Sequence, residues 1–543
     1  MRFSTISANS LAILFISLAS IATAPGQTAK AKLNPNEPLE KYNMPPAYIY
    51  RLGTSPQMIS PYGVFTSYQV NVDAQGNNIL GDAANEPSIA VDPTNGSKMT
   101  IGWRQFNSVQ SDFRQGGWGY TTDAGVTWTF PGVLENNVFR SDPVLDSDDT
   151  GNFSYLSLRE TFYDDIWRSI NGGASWTRLT FGDVSGGDKQ WFTIDRTNGT
   201  GHGFQYQLWS TSGNNFGGRQ FSRSTDNGAT WMSPIFLPNS PVWGTLDVDS
   251  NGNLFIGGAA NFTSPFWCLR SSNAQNPAIT PTFDRVTQVD LGGSLDFSDT
   301  INPGGLAGQV FLAVDRSGGP TNNNVYMVAS VQPSGFGTGT DVMFVRSTDG
   351  GLTFSAPHRI NDDPINHNKW HWFGTLAVAP NGRIDSVWLD SRNAANNTDS
   401  QLFYSFSTDG GVTWAPNVAV SAAFTPFEGY PVQNKIGDYI TIVSDNTGGN
   451  VAYPATFNFN PSSSQHEQDV YFVRVSPTGG PTPTPTPTAT ATPTATATAT
   501  ATPTATATAS STPSATPTIT PRPTPTPRSA PTVRPRPTPR PRP

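Results

Sequence analysis

Four aspartates and one tyrosine stand at the ends of short apolar segments of this chain, where they could act as acids, bases or nucleophiles. Paired carboxylates serve as general acid and general base in hydrolysis, and a tyrosine activated by a neighbouring carboxylate serves as a nucleophile. Asp438 and Tyr439 are adjacent in the sequence, which favours such a pair at this point. The candidate catalytic residues are Asp142, Asp188, Asp390, Asp438 and Tyr439.

Cations and indole rings occupy the same kind of position beside the apolar segments. Guanidinium groups form paired hydrogen bonds with carboxylates, and indole rings offer flat apolar faces on which a sugar ring can stack. Together with the carboxylates, this composition favours a glycan ligand. The alternative is that these side chains pair with one another and close the centre of the molecule. The candidate substrate-binding residues are Arg104, Arg159, Arg392, Lys189, Lys369, His371, Trp191 and Trp370.

The apolar segments that would position these side chains recur seven times. Each is followed by a turn rich in Asp, Asn and Gly and then by a second segment, a pattern typical of antiparallel strands joined by hairpins. The candidate residues come just before the first segment of a unit or just after the second. The seven first segments are 87–92, 142–146, 191–195, 244–249, 310–315, 374–379 and 437–442.

An eight-residue phrase with the pattern Ser/Thr-x-Asp-x-Gly-x-Thr/Ser-Trp/Phe recurs five times between these segments. Its Asp can accept hydrogen bonds from the amides of its own turn, its Gly can adopt a positive φ, and its aromatic ring can be buried. The gap between the third and fourth copies is about twice the others, which predicts a unit near 270–273 that kept its strand and lost the phrase. The Asp or Asn positions of the five copies, which we expect to be structural, are Asp123, Asn171, Asp226, Asp349 and Asp409.

This phrase is similar to the Asp-box repeat of sialidase-like β-propellers, and the resemblance covers about residues 62–476. It implies an all-β β-propeller with four-stranded antiparallel blades, in which the turns that carry the phrase lie opposite the ligand face. The candidate residues would then line the ligand face together. Seven first segments over 85–476 leave about 56 residues for each blade, so we expect seven blades. Six blades, the alternative, would leave one first segment without a blade.

The resemblance implies a sialidase-like glycoside hydrolase whose partner is an extracellular glycan or polysaccharide. The Arg-Ile-Pro phrase of catalytic sialidases is absent, since Tyr-Arg-Leu-Gly at 50–53 does not match it. A non-catalytic adhesion or scaffold propeller on a Pro/Thr stalk is one alternative. Another is a polysaccharide lyase in which His371, Tyr439 and Arg392 act on a uronate. We expect no cofactor and no metal.

The seventh unit predicts how the ring closes. Its third strand, 469–475, runs directly into a Pro/Thr-rich tail, so its fourth strand must come from elsewhere in the chain. Residues 62–72 alternate between apolar and polar side chains and precede the first unit, and we expect them to supply that strand. This closure would take the place of disulfide bonds, because Cys268 is the single cysteine.

Composition divides the chain into four parts. We expect a signal peptide at 1–24, an extended segment at 25–61, the propeller at 62–476 and a disordered Pro/Thr-rich tail at 477–543. The formal net charge is −8, and the tail carries six arginines and no acids, so residues 1–476 carry −14. An acidic body disfavours nucleic acid as a partner. We expect a secreted monomer without a membrane span, whose tail is a spacer or contacts the cell wall.

Overall fold

The computed structural model describes residues 44–46, 53–180 and 182–477. Its regular elements are β-strands, apart from one short 3-10 helix at Ala260–Phe262. No helix in these ranges is long and apolar enough to cross a membrane. The predicted signal peptide, most of the predicted extended segment and the tail beyond Pro477 lie outside the described residues, so those predictions stay as they were.

Strands β1 to β12 form an N-terminal part and two four-stranded antiparallel sheets. The N-terminal strands are β1 (Thr54–Ser55), β2 (Ile59–Tyr62), β3 (Phe65–Gln69) and β4 (Asn78–Ile79). Blade one contains β5 (Ala83–Val91), β6 (Met99–Phe106), β7 (Gln115–Thr121) and β8 (Thr129–Val133). Blade two contains β9 (Arg140–Ser147), β10 (Phe153–Arg159), β11 (Asp164–Ser169) and β12 (Thr177–Arg178).

Strands β13 to β24 form the next three blades, of which blade three has only three strands in its sheet. Blade three contains β13 (Trp191–Ile194), β14 (Gln205–Leu208) and β15 (Phe221–Ser224). Blade four contains β16 (Leu246–Val248), β17 (Leu254–Ala259), β18 (Phe266–Ser271) and β19 (Arg285–Val289). Blade five contains β20 (Gly293–Ser294), β21 (Phe311–Val314), β22 (Val325–Pro333), β23 (Asp341–Ser347) and β24 (His358–Arg359).

Strands β25 to β33 complete the ring. Blade six contains β25 (His371–Val378), β26 (Ile384–Asp390), β27 (Gln401–Ser407) and β28 (Val418–Ala419). Blade seven contains β29 (Thr441–Asp445), β30 (Gly448–Ala455) and β33 (Asp469–Val475), and a two-stranded ribbon beside it contains β31 (Phe459–Asn460) and β32 (Gln465–His466).

The first strands of the seven blades form a closed ring. Each contacts the next in the order β5, β9, β13, β16, β21, β25 and β29, and β29 returns to contact β5. Blades pack face to face, so both faces of the central strands are buried and the core lies between neighbouring blades. The all-β, seven-bladed propeller is therefore confirmed, and the six-bladed alternative is excluded.

The N-terminal strand closes the ring as expected. Strand β3 pairs antiparallel with β33 in the register Ser67↔Val473, Tyr68↔Phe472 and Gln69↔Tyr471. Just beyond β3, the backbone amide of Val70 donates a 2.8 Å hydrogen bond to the carbonyl of Val470. Strand β2 then covers the outer edge of β3, so blade seven has five strands. Backbone pairing between the two ends of the propeller thus holds the ring shut.

The repeated phrase forms the turn after the third strand of each blade that carries it, and its hydrogen bonds are local. In blade three, Ser224 Oγ donates to Asp226 Oδ1 over 2.8 Å, and Thr230 Oγ1 donates to Asp226 Oδ2 over 2.6 Å. The amide of Gly228 donates to Ser224 Oγ, and the φ of Gly228 is +89°. Such a φ favours glycine over residues that carry a Cβ. The Asp or Asn of every copy accepts the corresponding amide hydrogen bond, so it has a structural role.

Blade four carries a longer segment in place of the second half of the phrase, and the hydrogen bonds of its Asn273 nevertheless persist. Asn273 Oδ1 accepts a hydrogen bond from Ser271 Oγ and another from the amide of Thr282. In blade two, Asn171 makes the same contacts with Ser169 and with Ser175, which lies four residues later instead of nine. The ring of Phe283 packs against Phe221 of the preceding blade, at 5.7 Å between centroids. The insertion hid a turn whose contacts are intact.

Candidate functional site

One residue per blade adopts a left-handed backbone conformation where the chain enters the first strand. Non-glycine residues in this conformation are uncommon, and they cluster at functional sites, where the strained backbone orients a side chain. In blade one the residue lies in a β-bulge, since the register between β5 and β6 shifts between Asn85 and Ser88. The seven positions are Glu86, Asp142, Lys189, Trp243, Gly308, Phe373 and Gly437.

Three of these positions, together with neighbouring residues, build a buried network of charges that we call the central ion cluster. Lys189 Nζ lies 2.9 Å from Asp142 Oδ2 and 2.6 Å from Asp438 Oδ2. Lys435 Nζ lies 2.7 Å from the same oxygen of Asp438. The guanidinium of Arg104 lies 3.1 Å from Glu86 Oε2. The members are Glu86, Arg104, Asp142, Lys189, Lys435 and Asp438, and each is almost completely buried.

The pKa values in this cluster follow from burial and from the ion pairs. Burial alone would raise the pKa of Asp142, but Lys189 and Arg104 outweigh it and lower the pKa to about 2. Burial would lower the pKa of Lys189, and Asp142 and Asp438 hold it well above its ordinary value. The pKa of Glu86 is about 8, chiefly because of burial. Near neutral pH, Asp142 is therefore a carboxylate locked to an ammonium group.

Tyr439 follows Asp438 of this cluster and belongs to a group of aromatic rings contributed by three blades. Its hydroxyl donates a 2.7 Å hydrogen bond to the carbonyl of Pro143. The ring of Trp191 contacts Tyr439 at 5.3 Å and Phe311 at 5.4 Å between centroids. These three residues come from blades seven, three and five, so their rings meet across the channel. Burial raises the pKa of Tyr439 well above its ordinary value, which disfavours the phenolate.

Two connecting segments lie over the cluster and close it from solvent. The amide of Leu306 donates a 2.8 Å hydrogen bond to Asp438 Oδ1, and Asn302 Nδ2 donates to the carbonyl of Gly437. Gln433 Oε1 accepts a hydrogen bond from Arg104 Nη2 over 3.0 Å. The segment between β20 and β21 and the loop before β29 therefore contact the charged residues directly. Carboxylates held in this way do not face an open pocket.

A second charged group lies between blades five and six and contains three of the predicted residues. Its members are His371, Asp390 and Arg392, with Asp341, Arg359 and Asp363. Arg392 donates to Asp390 Oδ2 over 2.9 Å and to the exposed Asp362. His371 Nδ1 lies 2.6 Å from the carbonyl oxygen of Thr340, and Nε2 lies 3.0 Å from Asp363 Oδ1. Because both ring nitrogens face acceptors, this geometry favours the imidazolium form.

This geometry predicts a pH dependence of stability. Burial would lower the pKa of His371, but Asp390 and Asp363 hold it above its ordinary value. The protonated ring thus stabilises the fold fully below the unfolded-state pKa, about 6.5, and this stabilisation is lost as the pH rises through the raised pKa. Urea unfolding across neutral and alkaline pH should show the advantage of the wild type over His371→Asn shrinking as pH increases. Parallel pH profiles for the two proteins would contradict the prediction.

Of the remaining predicted residues, Arg159, Lys369 and Trp370 lie outside these two groups, whereas the charge of Asp188 acts on Lys189 of the central ion cluster. Arg159 pairs with Asp165 and Asp183 at the end of β10. Lys369 Nζ donates to the carbonyl of Ala394, and Trp370 belongs to the apolar core. Asp188 is buried, and its backbone pairs with Gly213 and Ser210. Arg104, Arg159 and Arg392 thus lie in three different charge networks and do not converge on one point.

Sequence reasoning missed a third charged group, which lies in blade two. The buried carboxylate of Asp165 pairs with Arg140, Arg159 and Arg178. Arg140 and Arg178 also pair with Glu135. Arg140 begins the first strand of its blade, as His371 does in blade six. That shared strand position is the signal that could have identified Arg140.

No family model and no curated protein matches this chain. Similar solved structures include a protein of unknown function from Dyadobacter fermentans, at 14% identity and a TM-score of 0.41 over 75% of this chain and 98% of that one. They also include a GH74 xyloglucanase from Xanthomonas campestris, at 14% identity and a TM-score of 0.40 over 75% of this chain and 59% of that one. The NanB sialidase from Streptococcus pneumoniae matches at 11% identity and a TM-score of 0.39, over 75% of this chain and 70% of that one.

Proposed function

We propose that this protein is a secreted β-propeller that binds an extracellular glycan without cleaving it. The observation that carries the proposal is the central ion cluster, in which Asp142 and Asp438 share the buried ammonium of Lys189. Glycoside hydrolysis requires two carboxyl groups that reach the scissile bond, one of them protonated. The most central of the candidate carboxylates are instead buried, ionised and covered by connecting segments.

The contacts of the other candidate residues also disfavour the catalytic roles predicted for them. Asp390 and Arg392 pair with each other, so neither is poised for acid–base work in this arrangement. The hydroxyl of Tyr439 donates to a backbone carbonyl, and the carboxylate of Asp438 binds Lys189 and Lys435 instead. A sialidase-like hydrolase or a lyase would need these contacts to break before chemistry. Secretion and attachment through the tail rest on the sequence alone.

A panel of glycans separates binding from cleavage. The purified protein would be incubated with sialosides, uronate polymers and neutral polysaccharides, with binding measured by calorimetry and products by chromatography. We expect saturable binding to at least one glycan and no release of fragments. Fragment release that is lost in both Asp142→Asn and Asp438→Asn, with folding retained, would overturn the proposal in favour of hydrolysis. An absence of binding across the panel would remove the glycan part of the proposal.

A further inference from the structure

An open cleft of about 650 Å³ lies at the outer edge of blade three and shares no lining residue with the central ion cluster. It is formed by the end of the segment that leaves blade two, the connection from β14 to β15, and the residues after the repeated turn of blade three. The lining residues used below are Asp183, Asn215, Phe216, Arg219, Trp231 and Ser233.

The cleft exists because blade three lacks a regular fourth strand. Strand β15 pairs along its length with β14 only, and on its other side a single bridge joins Phe221 to Ile235. Pro234, next to that bridge, has no amide hydrogen to extend a ladder. In the other blades a fourth strand, or β3 in blade seven, covers this edge. Here residues 232–235 follow β15 only irregularly: the amide of Met232 donates to the carbonyl of Arg223, and Ile235 pairs with Phe221. The cleft lies beside this irregular segment.

Two aromatic side chains, Phe216 and Trp231, line the cleft, and contacts with neighbouring residues fix both rings. The ring of Phe216 contacts Tyr163 and Trp209, each at 5.7 Å between centroids. The indole nitrogen of Trp231 donates to the carbonyl of Gly228, which fixes that ring at the other end. Phe236, whose ring contacts Arg219 of the cleft, is 56% exposed. Rigid, partly exposed rings are the surfaces on which the apolar face of a sugar stacks.

Planar polar groups stand beside these rings. Arg219 lies 4.9 Å above the ring of Phe236 and donates to the carbonyl of Phe216, and no carboxylate lies within ion-pair distance in the described part of the chain. The side chain of Asp183 is 56% exposed and is held by Arg159. Asn215 is exposed, and its amide donates to the carbonyl of Thr161. Guanidinium, carboxylate and amide groups in this setting suit the hydroxyl groups of a sugar.

The charge of the protein decides between neutral and acidic glycans. Residues 1–476 carry a formal charge of −14, which repels a polyanion over the range of a Debye length. The cleft itself holds one exposed carboxylate and one exposed guanidinium, so it is close to neutral. A neutral ligand avoids this repulsion.

We infer that this cleft beside β15 is a binding site for a neutral oligosaccharide. This inference rests on the proposed glycan-binding function and adds the place and the ligand class. Phe216 and Trp231 would stack on the sugar rings, while Arg219, Asp183 and Asn215 would bind hydroxyl groups. Each assignment follows from the exposure and fixed geometry of the residue.

The test compares cleft variants with a matched control on neutral oligosaccharides such as cello-, xylo- and manno-oligomers. Arg219→Ala removes the guanidinium, and Ser233→Trp fills the cleft from an exposed position without touching its aromatic floor. Arg285→Ala is the control, because Arg285 also donates only to backbone carbonyls, at a different turn. Thermal melts establish that each variant is folded. We expect each cleft variant to weaken binding at least tenfold and the control to leave it unchanged.

Three other outcomes are possible, and each would contradict a different part of the proposal. If the wild type binds neutral oligosaccharides and the cleft variants bind equally well, the glycan-binding function stands and the cleft is wrong. If the wild type binds only sialosides or uronate oligomers, the ligand class is wrong. If the wild type binds no glycan at all, the proposed function fails, and the inference fails with it.

Discussion

Replacing Lys189 by methionine is expected to destabilise the propeller by about 3–5 kcal/mol, the largest effect of any single substitution considered. The ammonium of Lys189 bridges Asp142 and Asp438, which come from blades two and seven, and its side chain is fully buried. Methionine keeps the length of the side chain but leaves two buried carboxylates with less compensating charge. The free energy of unfolding of natural domains is about 5–15 kcal/mol, so this loss is a large fraction of the total stability.

Urea unfolding monitored by tryptophan fluorescence measures this loss. Lys369→Met is the matched control, because Lys369 donates to a backbone carbonyl and has no carboxylate within ion-pair distance in the described residues. It should cost less than about 1.5 kcal/mol. The double variant Lys189→Met with Asp142→Asn should regain much of the stability, since it removes the uncompensated charge and leaves Asp438 paired with Lys435. Equal stability of Lys189→Met and the wild type would show that the cluster is not a stabilising bridge.

Replacing Val70 by proline is expected to open the ring at its closure. The amide of Val70 donates to the carbonyl of Val470, and its side chain is buried in the core between blades seven and one. Proline has no amide hydrogen, so the carbonyl of Val470 loses its hydrogen-bond donor. The proline ring would also be placed against the partner strand. We expect a loss of at least about 2 kcal/mol beyond that of Val70→Ala, which removes only side-chain packing.

The comparison of the two Val70 variants separates backbone pairing from packing. Hydrogen exchange should show faster exchange of β33 amides in Val70→Pro, because that strand would lose its neighbour on one side. The exposed edge should also promote aggregation at high concentration. If the two variants unfold at the same urea concentration, the closure through β3 contributes little beyond the packing of one valine.

Much of the fold was predictable because its repeated parts are local. The turn around Asp226 satisfies its hydrogen bonds within seven residues, so the phrase from Ser224 to Trp231 specifies it without help from the rest of the chain. The same holds for the hairpins that follow each first strand. The ring closure was predictable by counting, because β33 needed a partner and residues 62–72 belonged to none of the seven units. At Asn273 the sequence indicated a lost phrase but not that hydrogen bonds of the turn persist, because these contacts span nine residues instead of four.

The candidate site was predictable only in part. Sequence reasoning selected Asp142, Lys189 and Asp438 as residues of one face, and they do meet in the central ion cluster. It could not show that they pair with one another, because Lys189 lies 47 residues from Asp142 and 249 from Asp438. Nor could it anticipate that segments around Leu306 and Gln433 cover them.

The sequence by itself determined the number of blades, the turns and the strand that closes the ring, because each depends on spacing and on contacts within a few residues. The tertiary structure decided which charged side chains are compensated and which stay open to solvent. A ring brings seven equivalent positions to one axis, so their chemistry depends on what stands opposite each of them. In this chain that arrangement buries the carboxylates at the centre and leaves the open cleft at the edge of blade three, where a fourth strand is missing.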